Sequence, residues 1–183
     1  MSLGPALETD RLILRPPVQD DFPHFAAFAA DEAVNTHLGG VQPPHAAWRM
    51  MATIAGSWAL MGFGMFSVIE KASGRWVGRL GPWFPGGPEG GWPDTEVGWG
   101  LVSAVQGKGY ATEGATAAID WAFQTHNWKR VVHCIAKENT PSIAVAKRLG
   151  SYVMEEDVKL PAPIGVPIDV WGQTRAEWEA RRR

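Results

Sequence analysis

Apolar residues recur along this chain with two periods, near 2 and near 3.6, and the switches between them mark out its elements. Residues 1–9 carry neither period and read as irregular. Arg11-Leu12-Ile13-Leu14-Arg15 alternates loosely and stops at Pro16-Pro17, which predicts a first strand. Asp20 and Asp21 open a helix by capping and dipole logic, with Phe22, Phe25, Ala26 and Ala29 as its apolar face. After Gly39-Gly40 and Pro43-Pro44, a second helix over about 45–61 shows Trp48, Met51, Ala52, Ala55, Trp58 and Ala59 as its buried stripe. Segments 63–69 and 76–80 form a hairpin around Ala72-Ser73-Gly74, and 97–102 is a continuous apolar run of buried-strand type. An Ala-rich helix follows, with Ala111, Ala115, Ala118, Ile119, Ala122 and Phe123 on one side. Strand 131–136 leads to a helix that carries Pro141 early and Gly150 at its end, with Ile143, Val145, Ala146 and Leu149 apolar. Segments 151–160 and 168–171 are the last strands, an antiparallel pair, before a short helix over 174–183 anchored by Trp178.

Composition adds bounds. The 183 residues, 45% hydrophobic, suffice for one domain over 1–183 with a sizeable core. A net charge of −2 gives no basic field for nucleic acid, and Arg181-Arg182-Arg183 is too short to change that. No secretory h-region and no apolar run of spanning length is present, so no membrane partner is expected, and the location expected is cytoplasmic. The lone Cys134 reads as a strand thiol rather than a nucleophile. The five histidines share no metal spacing, and no metal site is predicted. Ten tryptophans, dispersed without a period, read mostly as packing residues, and their surplus suits a homodimer. Trp83 and Trp92 are set apart because the Pro- and Gly-rich stretch 82–93 reads as a long loop. They form either one wall of an acceptor pocket or part of the core.

The densest chemical signal is Gln106-Gly107-Lys108-Gly109-Tyr110-Ala111-Thr112, placed between the apolar run and the Ala-rich helix. Glycines at such a junction let backbone approach a ligand, and the first helical turn offers unpaired N–H groups to an anion. The P-loop pattern fails, because Val102 and Gly109 stand where Gly and Ser or Thr are required. The dinucleotide fingerprint fails at Thr112.

Gln106-x-x-Gly109-x-Ala111 instead resembles the pyrophosphate motif of the GNAT superfamily of acetyl-CoA-dependent N-acetyltransferases. Thr9-Asp10-Arg11-Leu12-Ile13-Leu14-Arg15-Pro16 with Asp20-Asp21-Phe22 is similar to the N-terminal signature of its Rim-type branch, whose founding members acetylate ribosomal-protein N-termini. Asn139-x-x-Ser142 with Lys147-Arg148-Leu149-Gly150 is a third match. The resemblance implies an α/β (α+β) fold: a mixed, mainly antiparallel sheet of six or seven strands flanked by about four helices. It implies acetyl-CoA as co-substrate, held by main-chain groups of Leu101 and Val102, by Gln106, Gly107, Lys108, Gly109, Tyr110, Ala111 and Thr112, and by Asn139 on the pantetheine arm. Lys108 either meets a phosphate oxygen or is a solvated loop lysine.

Direct transfer to an amine needs a base, since an alkyl ammonium is charged at neutral pH. Strand alternation puts Glu96 on the face of Gly98 and Gly100, whose missing side chains leave room for a ligand, and Glu96 is the candidate, a base or else an acceptor for a loop N–H or an arginine partner. The tyrosine that many family members use as acid falls here on Ala146, which leaves Ser142 as the nearest hydroxyl, an acid or else a helix-start residue bonding backbone. The expected activity is acetyl transfer to a primary amine, a protein N-terminus or a small molecule, by direct attack in a ternary complex. The alternative is a CoA-binding regulatory module of the same fold.

Overall fold

Residues 3–85, 90–161 and 167–182 are described by a computed structural model, in which each long apolar run takes the element its period predicts. In chain order these are β1 (Leu7–Glu8), β2 (Leu12–Arg15), α1 (Phe22–Ala30), α2 (Glu32–Asn35), α3 (Pro44–Met61), β3 (Phe66–Glu70), β4 (Trp76–Trp83), β5 (Glu96–Leu101), α4 (Tyr110–Thr125), β6 (Arg130–Ala136), α5 (Thr140–Arg148), β7 (Tyr152–Lys159), β8 (Pro167–Thr174) and α6 (Arg175–Arg181). The sheet thus has eight strands rather than six or seven. The extra strand is β1, two residues that pair Leu7 with Leu14 in a segment without periodicity. The short α2 is also additional; Asp31 caps it by accepting from the Val34 amide.

The strands lie in the order β1-β2-β3-β4-β5-β6-β8-β7. Neighbours are antiparallel except β5 and β6, which run parallel and meet at a single register pair, Glu96 opposite Val132. On one face α4 crosses β4 closely: a Cβ added at Gly114 would lie 2.5 Å from a methyl of Leu80, which would have to shift to admit it. On the other face α1 places Phe25 and Phe28 near Trp76, with ring centroids 6.1 and 5.7 Å away.

Two local expectations are corrected. Asp21 does not cap α1 through its side chain; the buried carboxylate accepts two bonds of 2.7 Å from Arg15 and a third from Ser67, tying the helix start to β2 and β3. The buried residues of α3 are Ala47, Met51, Ile54, Ser57 and Trp58. Trp48 is instead 45% exposed and packs edge-on against Phe22 at 5.1 Å.

Candidate active site

Beyond Glu96 the strands β5 and β6 part. Val102 spends its amide on Val77 of β4 and its carbonyl on the Val105 amide, so alternate residues of β5 turn N–H and C=O toward the gap. The Val97 carbonyl there accepts from Nδ1 of His133 at 2.7 Å, and the Leu101 carbonyl accepts from the Gln106 side chain at 3.2 Å. Of Leu101 and Val102, it is therefore the Leu101 amide that faces the opening. Burial holds His133 neutral, its pKa down to about 4. Its other nitrogen accepts from Ser151 at 3.1 Å. This ring replaces the next ladder bond and helps hold the strands apart.

At the open end of the gap stands the loop before α4. Gly107 and Gly109 both adopt left-handed backbone, φ 77° and 82°, and a Cβ added at Gly107 would meet nothing within 4 Å. The first intrahelical bond runs from the Glu113 amide to the Gly109 carbonyl, so the amides of Tyr110, Ala111 and Thr112 precede the helical ladder. An anion on these amides gains from the helix dipole. The loop is stapled from behind: Arg11 donates to the Lys108 carbonyl at 2.9 Å and to Glu113, and its guanidinium lies 4.6 Å from the centre of the Tyr110 ring. Tyr110 is itself buried, its hydroxyl donating to Glu70 at 2.8 Å. The Lys108 side chain is exposed, and Ala111 and Thr112 are half-buried.

Glu96 is 7% exposed at the point where the strands part. Trp92 donates its indole N–H to Oε2 at 3.0 Å, and the Cys134 amide donates to Oε1 at 3.2 Å. Burial pushes the Glu96 carboxyl up to about 7 despite these bonds, and the same burial, beside Glu96, pushes the Cys134 thiol up. The β4–β5 register runs unbroken from Gly78–Leu101 to Trp83–Glu96, so Glu96, Gly98 and Gly100 do share a face. The space above the glycines is not open, however. A Cβ at Gly98 would sit 3.0 Å from Met65, and one at Gly100 would sit 2.8 Å from Phe28 and 3.3 Å from Leu38.

Trp83 belongs to β4, not to a loop, and is buried opposite Glu96. Pro82 is tolerated within the strand because its partner Val97 turns its main chain toward β6, so this pair exchanges no ladder bond, and the β3 pairing stops at Leu80. Trp92 is half-buried and packs against the Val132, Leu160, Ile168 and Val170 cluster. Of the predicted loop, residues 86–89 lie outside the described residues.

The far wall is the start of α5. Asn139 accepts from the Ser142 amide at 3.2 Å through its side-chain oxygen, and this bond does not use its NH2 group. Ser142 Oγ accepts from the Trp99 indole at 3.2 Å across the gap, so the hydroxyl hydrogen remains available to a second acceptor. Ala146 is fully buried in a cluster with Ile135 and Trp171.

Arg11, Trp99, His133 and Arg79 were not singled out by sequence. Arg11 falls within the Thr9–Pro16 signature, and Arg79 is a lone charge in an otherwise apolar strand, which is the signal that marks it. Among the described residues no group of three or more His, Cys, Asp or Glu side chains is placed to hold a metal ion, and no helix is long and apolar enough to cross a membrane.

Comparison with known proteins bears on this geometry. Residues 11–151 match the family model described as an acetyltransferase (GNAT) domain. The crystal structure of an acetyltransferase from Agrobacterium tumefaciens str. C58 is 31% identical, with a TM-score of 0.80 over 92% of this chain and 94% of that one. A ribosomal-protein-S5-alanine acetyltransferase from Vibrio fischeri shares the fold at 19% identity, with a TM-score of 0.70 over 95% of this chain and 98% of that one. A 55-residue stretch is 38% identical to YnaD of Bacillus subtilis (strain 168), described as an uncharacterized N-acetyltransferase, covering 30% of this chain and 32% of that protein.

Proposed function

Because this chain belongs to the acetyltransferase (GNAT) domain family, we propose that it transfers the acetyl group of acetyl-CoA to a primary amine by direct attack in a ternary complex. The observation that carries this reading is a buried carboxylate, Glu96, at the point where β5 and β6 part, with an anion cradle at the other end of the same opening. One continuous eight-stranded sheet supports treating residues 1–183 as a single catalytic domain.

The fit to a diphosphate rests on the open space at Gly107 and on the amides of Tyr110, Ala111 and Thr112. Acetyl-CoA supplies the thioester carbonyl. The Leu101 amide and the Asn139 side chain hold the arm, and an amide of β5 turned to the gap, Trp99 or Leu101, hydrogen-bonds the carbonyl oxygen as charge grows on it. Glu96 accepts a proton from the ammonium of the acceptor, with a pKa near 7 suited to a base at neutral pH. The freed amine forms the C–N bond as the C–S bond breaks, and the Ser142 hydroxyl gives its proton to the departing thiolate while taking up the one the new amide nitrogen sheds, so the serine ends neutral. Trp92 and Trp83 flank Glu96 and wall the acceptor side.

The acceptor is a peptide N-terminus or a small amine. Similarity to ribosomal-protein acetyltransferases, at the level of fold, and the Thr9–Pro16 signature favour the Rim-type branch. The test is calorimetry with acetyl-CoA, followed by thiol release with a panel of peptides and small amines. Heat and amine-dependent release uphold the reading. Binding with no turnover on any amine makes the protein a CoA-binding module instead.

A further inference from the structure

Six arginines of this chain, Arg11, Arg15, Arg75, Arg130, Arg175 and Arg182, pair with a carboxylate. Arg79, in the middle of β4, forms no direct ion pair among the described residues; the nearby Glu96 carboxylate acts on it only from a distance. Its Nε is fully enclosed without a hydrogen-bond partner, and one terminal nitrogen is spent on the sulfur of Met65 at 2.7 Å. The guanidinium lies 6.0 and 5.8 Å from the ring centres of Phe25 and Phe28. Burial pulls its pKa down to about 10, so it stays charged. Arg79 as a whole is half-buried, and ring faces and a thioether return only part of what the enclosed part of its guanidinium loses on leaving water.

Position says what is missing. Arg79 stands opposite Gly100, and Glu96 opposite Trp83, with the Gly81–Gly98 pair between them on one sheet face. Met65 lies between the two charged groups: its sulfur meets Arg79, and its methyl lies 3.0 Å from a Cβ added at Gly98, whose next neighbour is Glu96 Oε1 at 3.4 Å. A methionine side chain is adaptable, and a ligand can displace it. Resting on the reading of Glu96 as the base, we propose that Arg79 anchors a carboxylate of the acceptor, which is then an amino acid or an acidic peptide N-terminus with an apolar body. The ammonium lies at Glu96, the carboxylate at Arg79, and the apolar part takes the space that Met65 gives up, beside Phe28 and Leu38. Plain amines and polyamines lack the group that completes Arg79.

The test measures thiol release by the full chain with L-phenylalanine against L-phenylalaninamide, and with the amidated tetrapeptide Asp-Ala-Ala-Ala against Asn-Ala-Ala-Ala. In one pair the acid is favoured by about tenfold or more in kcat/KM, the scale of a charge-assisted pair, and the responding pair identifies the source of the carboxylate. In Arg79→Met the acid-to-amide ratio falls to about one, and Arg79→Lys, which keeps charge without the fork, retains part of it. Equal or better use of the neutral member in both pairs overturns the proposal, as does an unchanged ratio in Arg79→Met. A second readout does not need turnover: the acetylated acids raise the melting temperature of the parent protein above their amides, and the difference vanishes in Arg79→Met. If no amine releases thiol, the transferase reading falls while this melting difference alone decides the carboxylate site; its absence in the parent protein overturns the site.

Discussion

The indole nitrogen of Trp92 stands 3.0 Å from Oε2 of Glu96, and that bond fixes the carboxylate at the point where β5 and β6 part. With its pKa raised to about 7 by burial, Glu96 is protonated in acid and inactive as a base there. The expected kcat/KM therefore rises with pH and levels off above about 7. Glu96→Gln lowers it by about 10²-fold or more, the usual scale of general-base loss, while calorimetry still detects acetyl-CoA binding. A profile flat from pH 6 to 8 would remove Glu96 from the role.

The same residue sets a stability trend. Its folded pKa of about 7 lies above the reference 4.5, so the folded state holds the extra proton between those values. Stability from this group is fully present below pH 4.5 and lost as pH rises through 7. The separation of about 2.5 pH units at 1.36 kcal/mol each corresponds to about 3 kcal/mol. His133, with its pKa lowered to about 4, acts oppositely and adds stability as pH rises from 4 to 6.5. Urea unfolding of Glu96→Gln beside the parent protein isolates the first effect: the variant gains on the parent from about pH 4.5 to 7 and then keeps its lead. A constant difference would contradict it.

Ser142 accepts from Trp99 and so keeps its own hydrogen for another partner. Ser142→Ala is expected to lower kcat by about tenfold to a hundredfold with little change in the affinity for CoA. An unaltered kcat would restrict Ser142 to its helix-start bond with Asn139.

The sequence made the element order legible wherever side-chain size and period agreed. In α4, Ala115, Ala118, Ile119, Ala122 and Phe123 are all buried on the predicted face. In α3 the period was sound but the phase was not. Alanine is apolar on every side of that helix, and the small Ala47 and the branched Ile54 won the core while Trp48 went to the surface against Phe22. Pro82 concealed the end of β4, because a missing N–H says nothing about whether the ladder needs it there. The glycine loop and Asn139 carried their backbone chemistry openly. Arg79 and His133 did not, since what distinguishes them is a lack of partners or a bond to a carbonyl 36 residues away.

Arg11 holds the glycine loop through the Lys108 carbonyl, which leaves the following amide turned to the cleft. Its side chain is 48% exposed, so the contribution is modest. Arg11→Met is expected to weaken CoA binding by about fivefold, near 1 kcal/mol, with kcat at saturating acetyl-CoA nearly unchanged. Calorimetry with CoA reads the effect directly, and an unchanged Kd would mean the loop needs no staple.

Gly107 allows a paired experiment that separates backbone strain from ligand contact. Gly107 and Gly74 have similar left-handed backbone, φ 77° and 68°, and neither has an atom within 4 Å of an added Cβ. Alanine at either position costs about 1–2 kcal/mol of conformational strain, so both variants should unfold at lower urea concentration by similar amounts. Gly74 lies in the turn between β3 and β4, its amide bonded to the Glu70 carbonyl, away from the gap. Gly107 lies in front of the free amides at the start of α4, where a methyl group would stand in the way of a diphosphate. Gly107→Ala should therefore weaken CoA binding tenfold or more, roughly 1.4 kcal/mol, while Gly74→Ala leaves the Kd as it was. Equal affinities in the two variants would place the diphosphate elsewhere and sever the glycine loop from the chemistry at Glu96.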